Sequence, residues 1–135
     1  MSKEIIIREH PDRIEYYSSD GERHRVDGPA IEYRSGTKYW YFHGKLHRED
    51  GPAVEHADGD KYWYLHGKLH REDGPAIEHA NGDKYWRLNN KLHRENGPAV
   101  EFASGFKQYW VNGHYLDFIT SDQMLVYYLR YGFLK

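Results

Sequence analysis

Short runs rich in β-branched and aromatic residues alternate with glycine-bearing polar turns along most of the chain: PAIEY, KYWYF, PAVEH, KYWYL, PAIEH and KYWRL follow one another in order. Each run has the length of a strand and falls short of a helix. Two kinds of turn separate them. One slot reads Asp20-Gly21, His43-Gly44, His66-Gly67, Asn89-Asn90 and Asn112-Gly113; the other reads Ser35-Gly36, Asp58-Gly59, Asn81-Gly82 and Ser104-Gly105. Asn-Gly and Asp-Gly between apolar runs mark tight hairpins, because the favoured two-residue turns need positive φ. The pattern predicts a meander of short antiparallel strands.

The meander is a repeat. His24, His47, His70 and His93 are each followed by Arg, at a constant spacing of 23, and HREDGPA occurs letter for letter at His47–Ala53 and His70–Ala76. Fixed periods of this size are the signature of arrays in which each unit leans on its neighbours. Burying one Trp, Leu or Ile contributes about 1.5–3 kcal/mol, while ordering a backbone costs roughly 1–2 kcal/mol per residue. A single unit therefore cannot fold alone. The expected organisation is one domain over 1–135: an N-terminal cap strand in 1–12, about five hairpin repeats over 13–117, and a C-terminal helix over 120–132. The helix is expected from Thr120 with Gln123 as a capping box, an apolar stripe of Met124, Leu125, Tyr128 and Leu129, and Gly132 as a stop.

If both turns hold two residues, Trp40 lies opposite Ile31 and His47, with Phe42 on the same face. The equivalents are Trp63, Val54 and Leu65; then Trp86, Ile77 and Leu88; then Tyr109, Val100 and Val111. That face is apolar in every unit and is the expected core. The opposite, wetter face then carries Glu32, Tyr39, Tyr41 and Arg48, then Glu55, Tyr62, Tyr64 and Arg71, then Glu78, Tyr85, Arg87 and Arg94. A three-residue turn would change this register.

Composition narrows the chemistry. Charged residues make up 30% of the chain with a formal net charge of -2, which argues against broad capture of nucleic acid. There is no cysteine, hence no disulfide framework and no thiolate metal site. The start, MSKEIIIREH, has too few apolar residues for a signal peptide or a spanning helix, so a soluble, cytoplasmic protein is expected.

Ten histidines invite a metal or general-base reading. The repeat answers most of it. His43 and His66 share a positive-φ turn slot with Asp20, Asn89 and Asn112; His56 and His79 share theirs with Tyr33 and Phe102, so that slot wants planar bulk. Members of the His24, His47, His70 and His93 row should sit two strands apart, about 9–10 Å, whereas zinc needs ligands at about 2 Å. The row is read as structural, each imidazole bonded to the following loop. Asp27, Asp50, Asp73 and Asn96 precede Gly-Pro, and an amide in place of a carboxylate suits a turn-forming side chain bonding backbone amides better than an acid or base.

The remaining candidate surface is the Glu-Tyr-Arg stripe. It is either a cross-strand ion pair over a ring, worth a few tenths to about 1 kcal/mol, or a contact surface, since Tyr and Arg are favoured at binding hot spots. Variation within the monotonous array marks where a partner could be read: Arg87 and then Trp110 replace the Tyr41/Tyr64 type, and Gln108 breaks the Tyr39 row. The candidate binding residues are Tyr39, Tyr41, Arg48, Tyr62, Tyr64, Arg71, Tyr85, Arg87, Arg94 and Trp110.

The segment YWYLHGKLHREDGPAIEHANGD resembles a MORN-type repeat, and more closely the divergent bacterial and phage variants with an NGKLHREDGPA-like core. The residues that carry the resemblance are Tyr39, Trp40, Tyr62, Trp63, Tyr85 and Trp86, with Gly44, Gly67 and Gly113, and it extends from about Arg13 to Leu116. Where the ordinary motif has Gly-x-Gly these units have Asp-Gly-Pro-Ala, which sets aside the lipid and membrane roles of some members. The resemblance implies an elongated, single-layer antiparallel β-meander that serves as an interaction scaffold. For a phage-encoded member it implies a place in the host cytoplasm and a role such as inhibiting a host defence component. The expectation is thus an all-β, non-enzymatic protein without a cofactor that binds another protein. The alternative is a small-molecule or nucleotide binder, with a ring stack and an arginine holding base and phosphate. A metal-dependent hydrolase ranks last.

Overall fold

The computed structural model describes residues 4–117 and 129–130. Its strands are β1 (Ile6–Glu9), β2 (Arg13–Tyr17), β3 (Ile31–Tyr33), β4 (Lys38–Tyr39), β5 (Tyr41–Phe42), β6 (Lys45–Leu46), β7 (Val54–Glu55), β8 (Lys61–Tyr62), β9 (Tyr64–Leu65), β10 (Lys68–Leu69), β11 (Ile77–Glu78), β12 (Lys84–Tyr85), β13 (Arg87–Leu88), β14 (Lys91–Leu92), β15 (Val100–Glu101), β16 (Lys107–Val111) and β17 (His114–Leu116). The protein is all-β, an antiparallel meander of hairpins, as the repeat predicts. One 11-stranded sheet runs β1-β2-β3-β4-β7-β8-β11-β12-β15-β16-β17, and the hairpins β5–β6, β9–β10 and β13–β14 branch from it. At the usual strand spacing such a sheet is roughly 50 Å across, although most of its strands are only two residues long. The helix expected over 120–132 lies outside the described residues except for Leu129 and Arg130, and is not borne out.

The two turn slots behave differently, and this corrects the expected register. His43 and Gly44 both have positive φ (47° and 78°), as do His66 with Gly67, Asn89 with Asn90, and Asn112 with Gly113. These are two-residue turns, with Tyr41 opposite Leu46 and Phe42 opposite Lys45. The other slot holds a three-residue loop. Tyr33 N–H bonds Thr37 O (2.9 Å) and Gly36 N–H bonds Tyr33 O (3.0 Å), so Arg34, Ser35 and Gly36 form the loop and only Gly36 takes positive φ. Asp20 also differs from the expectation. Its loop closes through Ser18 N–H to Glu22 O (2.8 Å), and Gly21 alone has positive φ there.

A register moved by one residue flips side chains to the other face. Ile31 therefore opposes Tyr39 and not Trp40, and Tyr39 in turn opposes Val54. The row continues Tyr62, Ile77, Tyr85, Val100 and Gln108. The phenols expected on the wet face share a face with the branched aliphatic residues, of which Ile31, Val54, Ile77 and Val100 are buried. The other face carries Glu32, Lys38, Glu55, Lys61, Glu78, Lys84, Glu101 and Lys107 in successive opposition, an alternation of signs favourable across strands.

Trp40, Trp63 and Trp86 belong with the charged face, each beneath an arginine. Arg48 Cζ lies 3.9 Å over the Trp40 ring; Arg71 over Trp63, Arg94 over Trp86 and Arg25 over Tyr16 each stand at 4.0 Å. Arg48 donates from Nε to Asp50 Oδ1 (3.1 Å) and from Nη1 to Pro52 O (3.1 Å) and Glu55 Oε1 (3.3 Å). Arg71 repeats the set with Asp73, Pro75 and Glu78. The expected side-by-side trio of Glu32, Tyr39 and Arg48 is not formed, because Glu32 accepts from Arg25 and Tyr39 faces away. The box aspartate likewise pairs with its arginine, where bonding to backbone amides was expected. In the fourth unit Arg94 keeps its bonds to Pro98 O (3.1 Å) and Glu101 (3.4 Å).

The box glycine is explained by the same contact. A Cβ added at Gly74 would stand 2.8 Å from Arg71 Cζ, and one at Gly51 2.9 Å from Arg48 Cζ. The guanidinium is thus flanked by an aromatic ring on one side and the glycine on the other. Gly74→Ala should push Arg71 off Trp63 and lower stability by about 1–3 kcal/mol, read as a fall in the urea midpoint. An unchanged midpoint would mean the guanidinium yields at no cost.

Candidate functional site

Each histidine of the repeating row accepts, through Nδ1, the backbone N–H of the first turn residue one unit later. The bonds run from His43 to His24 (3.0 Å), His66 to His47 (2.9 Å), Asn89 to His70 (3.1 Å) and Asn112 to His93 (2.9 Å). The row stitches unit to unit, as expected from its regularity. The accepting Nδ1 places the imidazole proton on Nε2, which lies near Glu49, Glu72 and Glu95 at 3.6, 3.4 and 3.4 Å. Among the described residues no three His, Asp or Glu side chains converge as metal ligands would.

Other stitches run along the sheet. Thr37 Oγ1 accepts from Ala57 N–H (3.1 Å), and Asp60 and Asp83 accept from Ala80 and Ala103 N–H (both 2.7 Å). The Ala80 N–H, aided by His79, holds the Asp60 carboxyl below its ordinary range despite some desolvation. Tyr33, Tyr39, His56, Tyr62, His79, Tyr85 and Phe102 form an edge-to-face ladder with centroids 5.6–6.1 Å apart. This is why the slot of His56 and His79 takes any planar ring. It also assigns Tyr39, Tyr62 and Tyr85 to a half-buried ladder; burial pushes the hydroxyls of Tyr39 and Tyr62 up.

Of the ten candidate binding residues, six are therefore engaged in the frame: Arg48, Arg71 and Arg94 on the tryptophans, and Tyr39, Tyr62 and Tyr85 in the ladder. The remaining four lie on the branched hairpins and on β16, the penultimate sheet strand. Tyr41 opposes Leu46, Tyr64 opposes Leu69, Arg87 opposes Leu92, and Trp110 opposes Tyr115. Successive hairpins are tied by Arg48 N–H to Tyr64 O (3.1 Å) and Gly67 N–H to Leu46 O (2.8 Å), with counterparts in the later units. The four side chains thus form one strip. Burial pushes the Tyr64 hydroxyl up, with the Arg87 charge opposing the rise and Tyr41 reinforcing it. Arg87 donates from Nη1 to Asn90 O (2.8 Å), and its Nε is buried with no partner. Trp110 donates to Gln108 Oε1 (3.2 Å) and rests on Tyr115 at 5.2 Å.

One cluster was missed by the sequence reading. Glu15, 5% exposed, occupies the row position that Tyr39 holds in the next unit. It accepts from Tyr17 Oη (3.0 Å) and meets His10 Nε2 at 2.6 Å, with Arg13 Nε at 3.7 Å and Arg23 Nη2 at 3.8 Å. Burial pushes its carboxyl up, but the bonds from Tyr17 and His10 and the Arg13 charge outweigh it and leave it below the ordinary range. The signal available in the sequence was polar residues at His10, Arg13, Glu15 and Arg23 in the one unit that departs from the repeat.

His24 supplies a pH test. Burial, then His43, lowers its pKa below the ordinary 6.5, with Glu22 opposing. The unfolded chain binds the proton first, so this part of the stability is complete above 6.5 and is lost as pH falls through the interval below it. His24→Gln should flatten the fall of the urea midpoint across that interval, and equal slopes in the two chains would contradict the assignment.

Comparison with protein-family models, with curated proteins and with solved structures found no match for this chain.

Proposed function

We propose that the chain is a non-enzymatic repeat scaffold that binds a partner protein through the strip of Tyr41, Tyr64, Arg87 and Trp110. The observation that carries this reading is a contrast within the molecule. The arginine–ring contact recurs at 4.0, 3.9, 4.0 and 4.0 Å, while the strip changes from phenol to guanidinium to indole. A frame that repeats so closely gives the unit no structural reason to vary this slot. Tyr, Arg and Trp are also the residue types that dominate binding hot spots. The likeness to MORN-type repeats belongs to this reading, as does a cytoplasmic role, such as inhibiting a bacterial or phage-directed regulatory or defence component. No helix among the described residues is long and apolar enough to cross a membrane.

A second reading has one observation in its favour: Arg87 Nε is buried with no protein partner, a donor that the phosphate of a nucleotide could take up. The two separate by experiment. Affinity capture from source-cell lysate should retain a protein on the wild-type chain, and Tyr64→Ala with Arg87→Ala should weaken that retention by at least about 30-fold with the circular dichroism spectrum unchanged. Equal retention by both chains would reject the strip. Saturable heat on titration with nucleotides, lost in Arg87→Ala, would favour the second reading.

A further inference from the structure

The edge of the sheet at β1 carries an unusual pattern. Natural edge strands are protected by charge, proline or bulges, yet Ile5, Ile6 and Ile7 are 45%, 40% and 56% exposed along this one. β1 ends the sheet, and its inner neighbour is β2, with Ile6 opposite Tyr17, Ile7 opposite Tyr16 and Arg8 opposite Glu15. Tyr16 spends its backbone on the other side, donating to Ala30 O (2.7 Å) and accepting from His24 N–H (3.1 Å). By alternation Glu15 and Tyr17 turn theirs to β1, so Ile6 and Arg8 point inward, as does His10, whose N–H bonds Arg13 O (2.8 Å). The N–H and C=O groups of Ile5, Ile7 and Glu9 therefore point out of the sheet.

We propose that β1 pairs antiparallel with β1 of a second copy of this chain, about a two-fold axis through Ile6. In that register Ile5 faces Ile7 of the other copy, and each exchanges both outward backbone bonds. Ile6 faces its own counterpart, and Glu4 faces Arg8 at both ends. The backbone alternation restricts the axis to whole-residue positions. Placing it at Ile5 sets Glu4 against Ile6, and placing it at Ile7 sets Ile6 against Arg8. Only the axis at Ile6 joins apolar to apolar and acid to base. It is also isologous and closed, so association stops at two copies. The two sheets become one continuous sheet, and the strip proposed as the binding surface is presented twice.

The test uses the full chain in sedimentation equilibrium across a concentration series. The wild type should show a monomer–dimer equilibrium. Ile7→Pro removes an N–H that the chain itself does not use, and proline is tolerated on edge strands. It should therefore abolish the dimer without lowering the melting temperature. Ile6→Lys, which sets two ammonium groups face to face, should do the same. Glu4→Arg makes both end pairs repulsive and should raise the dimer dissociation constant on the order of 10-fold. Added salt should then strengthen its association while weakening that of the wild type. A monomeric wild type, growth beyond two copies by head-to-tail pairing, or a dimer that survives Ile7→Pro and Ile6→Lys alike would overturn the proposal.

Discussion

The array depends on one contact, a guanidinium held against an aromatic ring. Arg48, Arg71 and Arg94 lie on Trp40, Trp63 and Trp86, and Arg25 on Tyr16, with the box glycine close on the guanidinium. The same guanidinium bonds the proline carbonyl within its own box and the glutamate on the following strand. One side chain thereby fixes the bend of HREDGPA, the seat of the ring and the entry into the next strand. Arginine suits this because it offers a flat face for stacking and a fork of donors at its edge, where lysine offers a single point charge. The core beneath is thin: the fully enclosed residues are small, with Ala30, Ala53, Ala76 and Ala99 at 0% exposure. A strip built from such units has little apolar volume of its own, so polar stacking and stitching between units carry more of the order than in a layered domain.

From that constraint follows the division between frame and surface. The histidine row, the threonine and aspartate stitches and the edge-to-face ladder all join one unit to the next, and all recur. Residues in those slots can change only within a narrow chemistry. The hairpins β5–β6, β9–β10 and β13–β14 stand outside the long sheet, and their outer slot takes a different contact in each unit, Arg23 over Tyr41 in one and Arg87 to Asn90 O in another. The penultimate sheet strand, β16, contributes Trp110 to the same strip. Free variation in a repeated frame is what a binding surface requires, since it lets one part of a monotonous array differ from another.

Much of the architecture was legible because the chain contains its own controls. The period, the two turn slots, the positive-φ histidines and the structural role of the histidine row all follow from comparing slots. The planar slot of His56 and His79 does too. Register was not legible. Ser35-Gly36 and Asp58-Gly59 look like two-residue turns, but Tyr33 to Thr37 closes over three residues, and that single step exchanged the faces of Tyr39 and Trp40. The reason for the box glycine was hidden as well. Its φ is ordinary, and what excludes a side chain is a guanidinium that no local pattern places there. The Glu15 cluster escaped because it sits where the repeat breaks down, and slot comparison fails at the ends.

The most direct measurement of the arginine–ring contact is the nuclear magnetic resonance of the arginine Nε–H groups. Stacking on an indole should shift the Arg48, Arg71 and Arg94 signals by ring current and slow their exchange with solvent. Exchange should be slowest for Arg48 and Arg71, whose Nε is bonded to Asp50 and Asp73. Faster exchange is expected at Arg94, where Asn96 stands in the aspartate slot. Arginine signals collapsed at the position of freely solvated side chains, exchanging at one common rate, would contradict the account at its foundation.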